Sequence, residues 1–211
     1  SLVDNEINSS ITASIGEANQ TGGVVSNPTV NATSITVNAT SVADISQTDS
    51  IAVGGSAVAA VGVNTANATV NTTIKAEVID ASLTATVGDI SVTAGSRSTA
   101  LADVDGYVLG FGVGVGVVSA AATVEGRTSA SVGGEITADS LMVSATSLPR
   151  TEATATAAVG GLTAVGVNQT TATIDRNVNA EIADRSKIEA RGAVDVKAMM
   201  NRPDDLTIAS A

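Results

Sequence analysis

The chain has 211 residues, 44% of them apolar, yet only 1% aromatic (Tyr107 and Phe111), and it contains no Cys, His or Trp. Without His or Cys there is no imidazole-dependent nucleophilic catalysis, no imidazole or thiolate metal site and no disulfide framework. Ten basic against 21 acidic residues leave a net charge of −11, which argues against nucleic acid and anionic membranes as partners, the more so without aromatic platforms for bases. With only 15% charged residues the chain is too apolar for a disordered polyelectrolyte. Its core has to be built from Val, Ala, Ile and Leu.

The opening stretch, Ser1 to Glu6, has neither a basic nor an apolar signal region, so no secretory peptide is read there. Alternation of apolar and small polar residues begins at Ile11-Thr12-Ala13-Ser14-Ile15. After a longer connection from Glu17 to Pro28 it returns in Val30-Asn31-Ala32 and Ile35-Thr36-Val37-Asn38-Ala39. The last pattern recurs as Ile90-Ser91-Val92-Thr93-Ala94, Leu141-Met142-Val143-Ser144-Ala145 and Val194-Asp195-Val196-Lys197-Ala198, with starts 55, 51 and 53 residues apart. Other landmarks keep nearly the same interval, apart from the step from Ile11 to Ile74, which the longer Glu17 to Pro28 connection extends. Ile11 is followed by the related segments at Ile74, Thr128 and Val178; Val30 by those at Leu83, Ile136 and Ile188. A glycine-rich half recurs as Val61-Gly62-Val63-Asn64, Val115-Gly116-Val117-Val118 and Val165-Gly166-Val167-Asn168. The unit is an imperfect repeat of about 53 residues.

Period-two alternation places Ile90, Val92 and Ala94 on one face of a strand and Ser91 and Thr93 on the other. Turn signals are read at Val87-Gly88-Asp89, Val132-Gly133-Gly134 and Arg191-Gly192. Many short strands in a repeat predict an all-β fold, a parallel β-solenoid in which equivalent strands stack about 4.8 Å apart. The glycine-rich half has its own alternation, in Ser98 to Ala102 and Thr151 to Ala155, which suggests two coils per repeat, about eight in all, rising roughly 38 Å. Residues 1–211 are read as one repetitive domain, with a partial repeat over 1–40, repeats over about 41–94, 95–145 and 146–198, and a further coil starting in 199–211. Small inward residues suit a narrow coil.

Few residues carry chemistry. Gly106 to Val124 is uncharged and nearly long enough for a membrane span, but its glycines and valines alternate as in a strand, so no transmembrane segment is expected. Its glycine spacing also fails the dinucleotide-binding fingerprint. Asp103-Val104-Asp105-Gly106 looks superficially like a calcium loop, yet the remaining ligands are missing and the other copies lack the acidic pair, so Asp103 and Asp105 are read as a solvated turn, as is Asp204-Asp205. A carboxylate pair with Arg97 near Asp103 would be the starting point for a carbohydrate-active site, although sugar-binding aromatics are nearly absent. Asn8, Asn19, Asn31, Asn38, Asn67, Asn71 and Asn168 begin Asn-x-Ser/Thr triplets, attributed to composition rather than glycosylation. Thr36, Ser91, Met142 and Asp195 share one outward position, too irregular for an ice-binding threonine array. No catalytic, cofactor or metal-binding residue is assigned, and no cofactor is expected.

The run Gly88-Asp89-Ile90-Ser91-Val92-Thr93-Ala94, with Ala164-Val165-Gly166-Val167-Asn168 and Ala180-Glu181-Ile182, resembles repeat modules of large bacterial filamentous adhesins of the filamentous-haemagglutinin and leukotoxin type. The resemblance covers nearly the whole chain and implies a non-enzymatic β-solenoid shaft, extracellular or at the bacterial cell surface. It implies partners in neighbouring repeats, in end-to-end copies, or in a host or matrix surface. A self-assembling filament subunit and a carbohydrate-active or ice-binding β-helix are the alternatives. The segment Leu206 to Ala211 resumes alternation, as though another strand were starting.

Overall fold

The computed structural model describes residues 1–16 and 27–200, and the backbone of 207–210. No helix occurs among them. Twelve strands form two sheets, and the chain passes alternately from one sheet to the other. The first sheet holds β1 (Leu2–Ile15), β2 (Thr29–Ala32), β5 (Ala59–Ala85), β7 (Val113–Ala138), β9 (Thr163–Ile182) and β10 (Lys187–Ala190). The second holds β3 (Ile35–Ile45), β4 (Asp49–Ser56), β6 (Ile90–Gly110), β8 (Leu141–Gly160), β11 (Val194–Met200) and β12 (Thr207–Ser210). Every pairing is parallel.

The pairing register is the sequence repeat. Ile35 lies beside Ile90, Ile90 beside Leu141 and Leu141 beside Val194; Ile11, Ile74, Thr128 and Val178 form another column, and Val61, Val115 and Val165 a third. The number of turns per repeat differs from expectation. Ser98 to Ala102 belongs to the same strand as Ile90, and Thr151 to Ala155 to the same strand as Leu141. One repeat therefore makes one wide circuit, not two, with strands of up to 27 residues, and the sheets are four layers deep rather than eight. Alternation marks the buried face of a strand but carries no signal for where a long strand ends.

Turns join the sheets at Val87-Gly88-Asp89 and Arg191-Gly192, as expected, and they stack through backbone bonds such as Ile90 N–H to Ser140 O (2.9 Å) and Leu141 N–H to Ala193 O (2.9 Å). The third expected turn is not one. Gly133 and Gly134 lie inside β7, opposite a place where β5 carries an extra residue between Val78 and Ala81. Gly134 has φ +107°, and a Cβ there would lie 2.1 Å from the Ala81 carbonyl oxygen, so the glycine serves a bulge in a continuous strand.

Side-chain size falls along the strands from one set of turns to the other. Near the Gly88 turns the inward residues are large and include Ile74, Leu83, Ile90, Ile136 and Leu141. A second cluster further along is mostly alanine, with Ala66, Ala68, Ala100, Ala120 and Ala153. At the far end they are glycines: a Cβ on Gly62 would sit 2.6 Å from Val108 Cγ2, and one on Gly116 2.8 Å from Val159 Cγ2. The two sheets converge on this edge, so the cross-section is a wedge.

Val143 is 0% exposed, whereas the adjacent Ser144 points outward between Thr93 and Lys197. Val143→Asp places an unpaired carboxylate in the core and is expected to cost about 3 kcal/mol or more, while Ser144→Asp should change stability by less than about 0.5 kcal/mol. Urea denaturation of the two variants checks this, and equal midpoints would refute the facing of β8.

Candidate functional site

The sequence-read candidates are only partly brought together. Asp103 and Asp105 lie on the outer face of β6 rather than in a turn, because the strand runs through them to Gly110. Asp49 pairs with Asp103 from the layer beside it, and Glu152 lies on β8, the layer on the other side. Partial burial, then the charges of Asp105 and Asp49, hold the Asp103 carboxyl above its ordinary range, against a backbone hydrogen bond from Val104. Among the described residues no group of three or more acidic side chains has the geometry of a metal site. Arg97 stands six residues from Asp103 on the same strand, roughly 20 Å away, so the carbohydrate-site pairing is not formed. Asp204 and Asp205, with Asn19, lie outside the described residues. The other triplet asparagines sit within strands rather than turns.

A buried polar belt crosses the interior between the two apolar clusters. Arg176, only 8% exposed, occupies an inward position of β9 where the alternation has Ile174 before it and Val178 after it. Its column contains Ser9, Thr72 and Gly126. Gly126 has φ +115° and no side chain, which leaves the guanidinium free to reach back across its layer. Nη1 donates to Thr72 Oγ1 (2.6 Å), Thr72 O (3.2 Å) and Glu125 O (2.7 Å). Nη2 donates to Ser96 Oγ (2.7 Å) and Thr128 Oγ1 (3.0 Å), and Nε to Ser147 Oγ (3.3 Å).

Ser96 Oγ also donates to Ser147 Oγ (2.9 Å) and is hydrogen-bonded to Thr128 Oγ1 (2.8 Å). Among the described residues no carboxylate pairs with Arg176. Burial pushes its pKa down, but a guanidinium stays protonated, and neutral oxygens carry its solvation. Because its donors are already engaged within the protein, this cation is a structural tie across both sheets, with nothing left to hold a substrate. Sequence reasoning passed over it, although an arginine on an inward beat was the signal.

The third feature is the thin edge. Residues 50–74, 106–124 and 153–174 carry no charge and span this edge in successive layers. With glycines turned inward, the outward positions are apolar: Val53, Val61, Val63 and Leu109 are exposed, and the turns present Phe111 (83% exposed) and Leu162 (92%). Leu109, Phe111 and Leu162 with the glycine backbones of the turns line a groove of about 720 Å³. An apolar surface that is contiguous across layers is the usual mark of a contact site rather than of scattered surface residues.

No family model, no curated protein and no solved structure matches the chain.

Two expectations test the interior and the acidic face. Arg176→Ala leaves a cavity and several buried hydroxyls with fewer partners, and should cost about 2–5 kcal/mol in urea denaturation. A loss below about 0.5 kcal/mol would show that the belt is dispensable. For Asp103, a raised folded-state pKa means that the native state holds its proton at a pH where the unfolded chain has lost it. Stability therefore falls as pH rises from the unfolded value near 3.8 through the folded one. Asp103→Asn should raise the melting temperature at neutral pH and leave it unchanged well below pH 3.8, which thermal scans across pH will check.

Proposed function

We propose that this chain is a segment of parallel β-solenoid belonging to a large secreted or cell-surface bacterial protein of the filamentous-adhesin kind. In this reading it serves without catalysis as a stiff shaft that presents a contact edge. The observation that carries the reading is the identity of sequence repeat and hydrogen-bond register: residues one repeat apart are neighbours in the same column through both sheets. Each layer then templates the next, and the array extends by adding repeats without new core design. Extracellular placement follows from the resemblance to adhesin repeats, and the absence of cysteine is compatible with it.

The edge formed by Phe111, Leu162 and the outward valines supplies the adhesive part of the role. It recurs in consecutive layers, so its reach along the shaft grows with repeat number. Charged residues border it at Asp49, Asp105 and Glu152 and keep the remaining surface hydrated. A host or matrix surface with apolar character is the partner that suits it.

Deleting residues 90–140 joins Asp89 to Leu141, the residue that occupies the Ile90 column in the next layer. This variant should fold with the same strand signature in circular dichroism and one layer fewer. Deleting 90–112, which removes one strand of the second sheet and leaves its partner in the first, should abolish cooperative unfolding. Two deletions of equal effect would sink the solenoid reading. Replacing both Phe111 and Leu162 by Ser should weaken retention on an apolar matrix while shifting stability by less than about 0.5 kcal/mol; unchanged retention would remove the edge from the role.

A further inference from the structure

We infer that the outer face of β6 and the thin edge beside it form one docking surface for an extended polypeptide segment, apolar at one end and carrying lysine or arginine at the other. The inference rests on the contact edge proposed above and adds the chemistry of its partner. It does not depend on membership of an adhesin.

The outward row of β6 changes character along its length. Asp103 and Asp105 come first, then Tyr107 and Leu109, and Phe111 follows in the turn. This row belongs to an inner layer, with β4 on one side and β8 on the other, so its exposure is a property of the stack itself. Tyr107 is 43% and Leu109 64% exposed. Leu109 has Gly55 and Gly160 as its neighbours across the sheet. It leans over Gly160, where a Cβ would lie 2.8 Å from Leu109 Cδ2, whereas a Cβ on Gly55 would meet nothing closer than 3.9 Å. The groove lined by Phe111 and Leu162 is open on that side.

The residue types point the same way. Tyr107 and Phe111 are the only aromatics in 211 residues, and neither fills the core, which the stacking builds from aliphatic columns. Two exposed aromatics on one edge, beside Leu109 and Leu162, are the kind of side chain that anchors a protein contact.

The acidic end supplies the complement. Asp49 lies beside Asp103 in the register, and Asp105 is two residues further along the row. Among the described residues no lysine or arginine forms an ion pair with any of the three. Burial, then the charges of Asp105 and Asp49, raise the Asp103 pKa, as expected of carboxylates that lack a counter-charge. A cationic partner relieves this repulsion and an anionic one adds to it.

The spacing selects a polypeptide. Successive side chains of the row stand about 6.7 Å apart, the interval between alternate residues of an extended chain, and Leu109 lies about 13 Å from Asp105. A segment lying along β6 therefore sets every second side chain over this row. Its apolar residues meet Leu109 and the groove, and its cations meet Tyr107, through the ring face, and the two aspartates. A second copy brings no such cation, because residues 50–74, 106–124 and 153–174, which span its own edge, are uncharged.

Tyr107 is the only tyrosine and tryptophan is absent, so its fluorescence reports on this face directly. The probe is a short peptide, free of aromatics, that alternates serine with two leucines and then two lysines, made in both chain directions. Added to the intact chain, it should change Tyr107 emission saturably in at least one direction, and raised salt should weaken the binding. Glutamates in place of the lysines should weaken it about tenfold or more. Asp103→Asn with Asp105→Asn should do the same to the lysine peptide at an undiminished melting temperature, and Asp103→Lys with Asp105→Lys should reverse the preference. Equal affinity for the two peptides, or no saturable change, overturns the inference, while the contact edge stands as long as retention on an apolar matrix requires Phe111 and Leu162. If that retention is also indifferent to Phe111 and Leu162, both readings fall. Growth in mass with concentration that disappears when these two are replaced by Ser overturns the inference as well, since a second copy would then occupy the edge.

Discussion

Parallel in-register stacking is the constraint on which the rest of this structure depends. With layers about 4.8 Å apart, the neighbour of an inward side chain is the equivalent residue of the next repeat, so each column must be filled by residues that tolerate their own likeness. Ile35, Ile90, Leu141 and Val194 in one column, and Ala39, Ala94, Ala145 and Ala198 in another, show the result. An aromatic ring in such a column would have to be repeated or accommodated in every layer. The near absence of aromatics is thus a property of the stacking. The distance between the sheets is then set column by column, wide where Ile and Leu recur and narrow where Gly recurs.

This regularity creates a problem that the Arg176 belt addresses. Where many columns hold interchangeable Ala and Val, a strand shifted by two residues keeps every apolar side chain on the inner face and loses little burial. The belt does not survive such a shift. Moving β9 by two residues would set Arg176 beside Val124 or Thr128 instead of Gly126, out of line with Thr72, Ser96 and Ser147, and an uncompensated buried cation is costly. Gly126 is part of the same device, because any side chain there would occupy the path that the guanidinium takes to Thr72. A single irregular column therefore specifies the register for the regular ones beside it.

The facing of the strands and their register were legible in the sequence, for separate reasons. Alternation at Ile90, Val92 and Ala94 is the geometry of a one-sided strand, and the 51–55 residue interval is the length of a circuit. The number of circuits per repeat was not legible, because Ser96 and Ser98 interrupt the apolar beat inside β6 and imitate a boundary, while they in fact face inward to the belt. Gly133-Gly134 misled in the same way, since a bulge and a turn use the same residue for the same positive φ. The acidic group was hidden for a different reason: Asp49 and Asp103 are far apart in the chain and meet only through a register that sequence spacing implied for other positions. Arg176 was visible as a charged residue on an inward beat, but its partners lie on four other strands.

The thin edge reverses the usual order of a sheet, with the smallest residues inside and the apolar ones outside, and the two halves of that reversal require each other. Glycine on one sheet lets valine of the other fill the gap, as Gly62 does for Val108 and Gly116 for Val159, so close approach leaves no interior for larger side chains to enter. Valines on those strands then have only the outer face to occupy, where their β-branching still favours extended backbone. The local fold is held by ladder hydrogen bonds and by these glycine–valine contacts, and little of it depends on Phe111 or Leu162, which project beyond the turns. Stability and surface chemistry are consequently separated on this edge. The exposed residues are free to be set by what they touch, whereas the glycines beneath them are not.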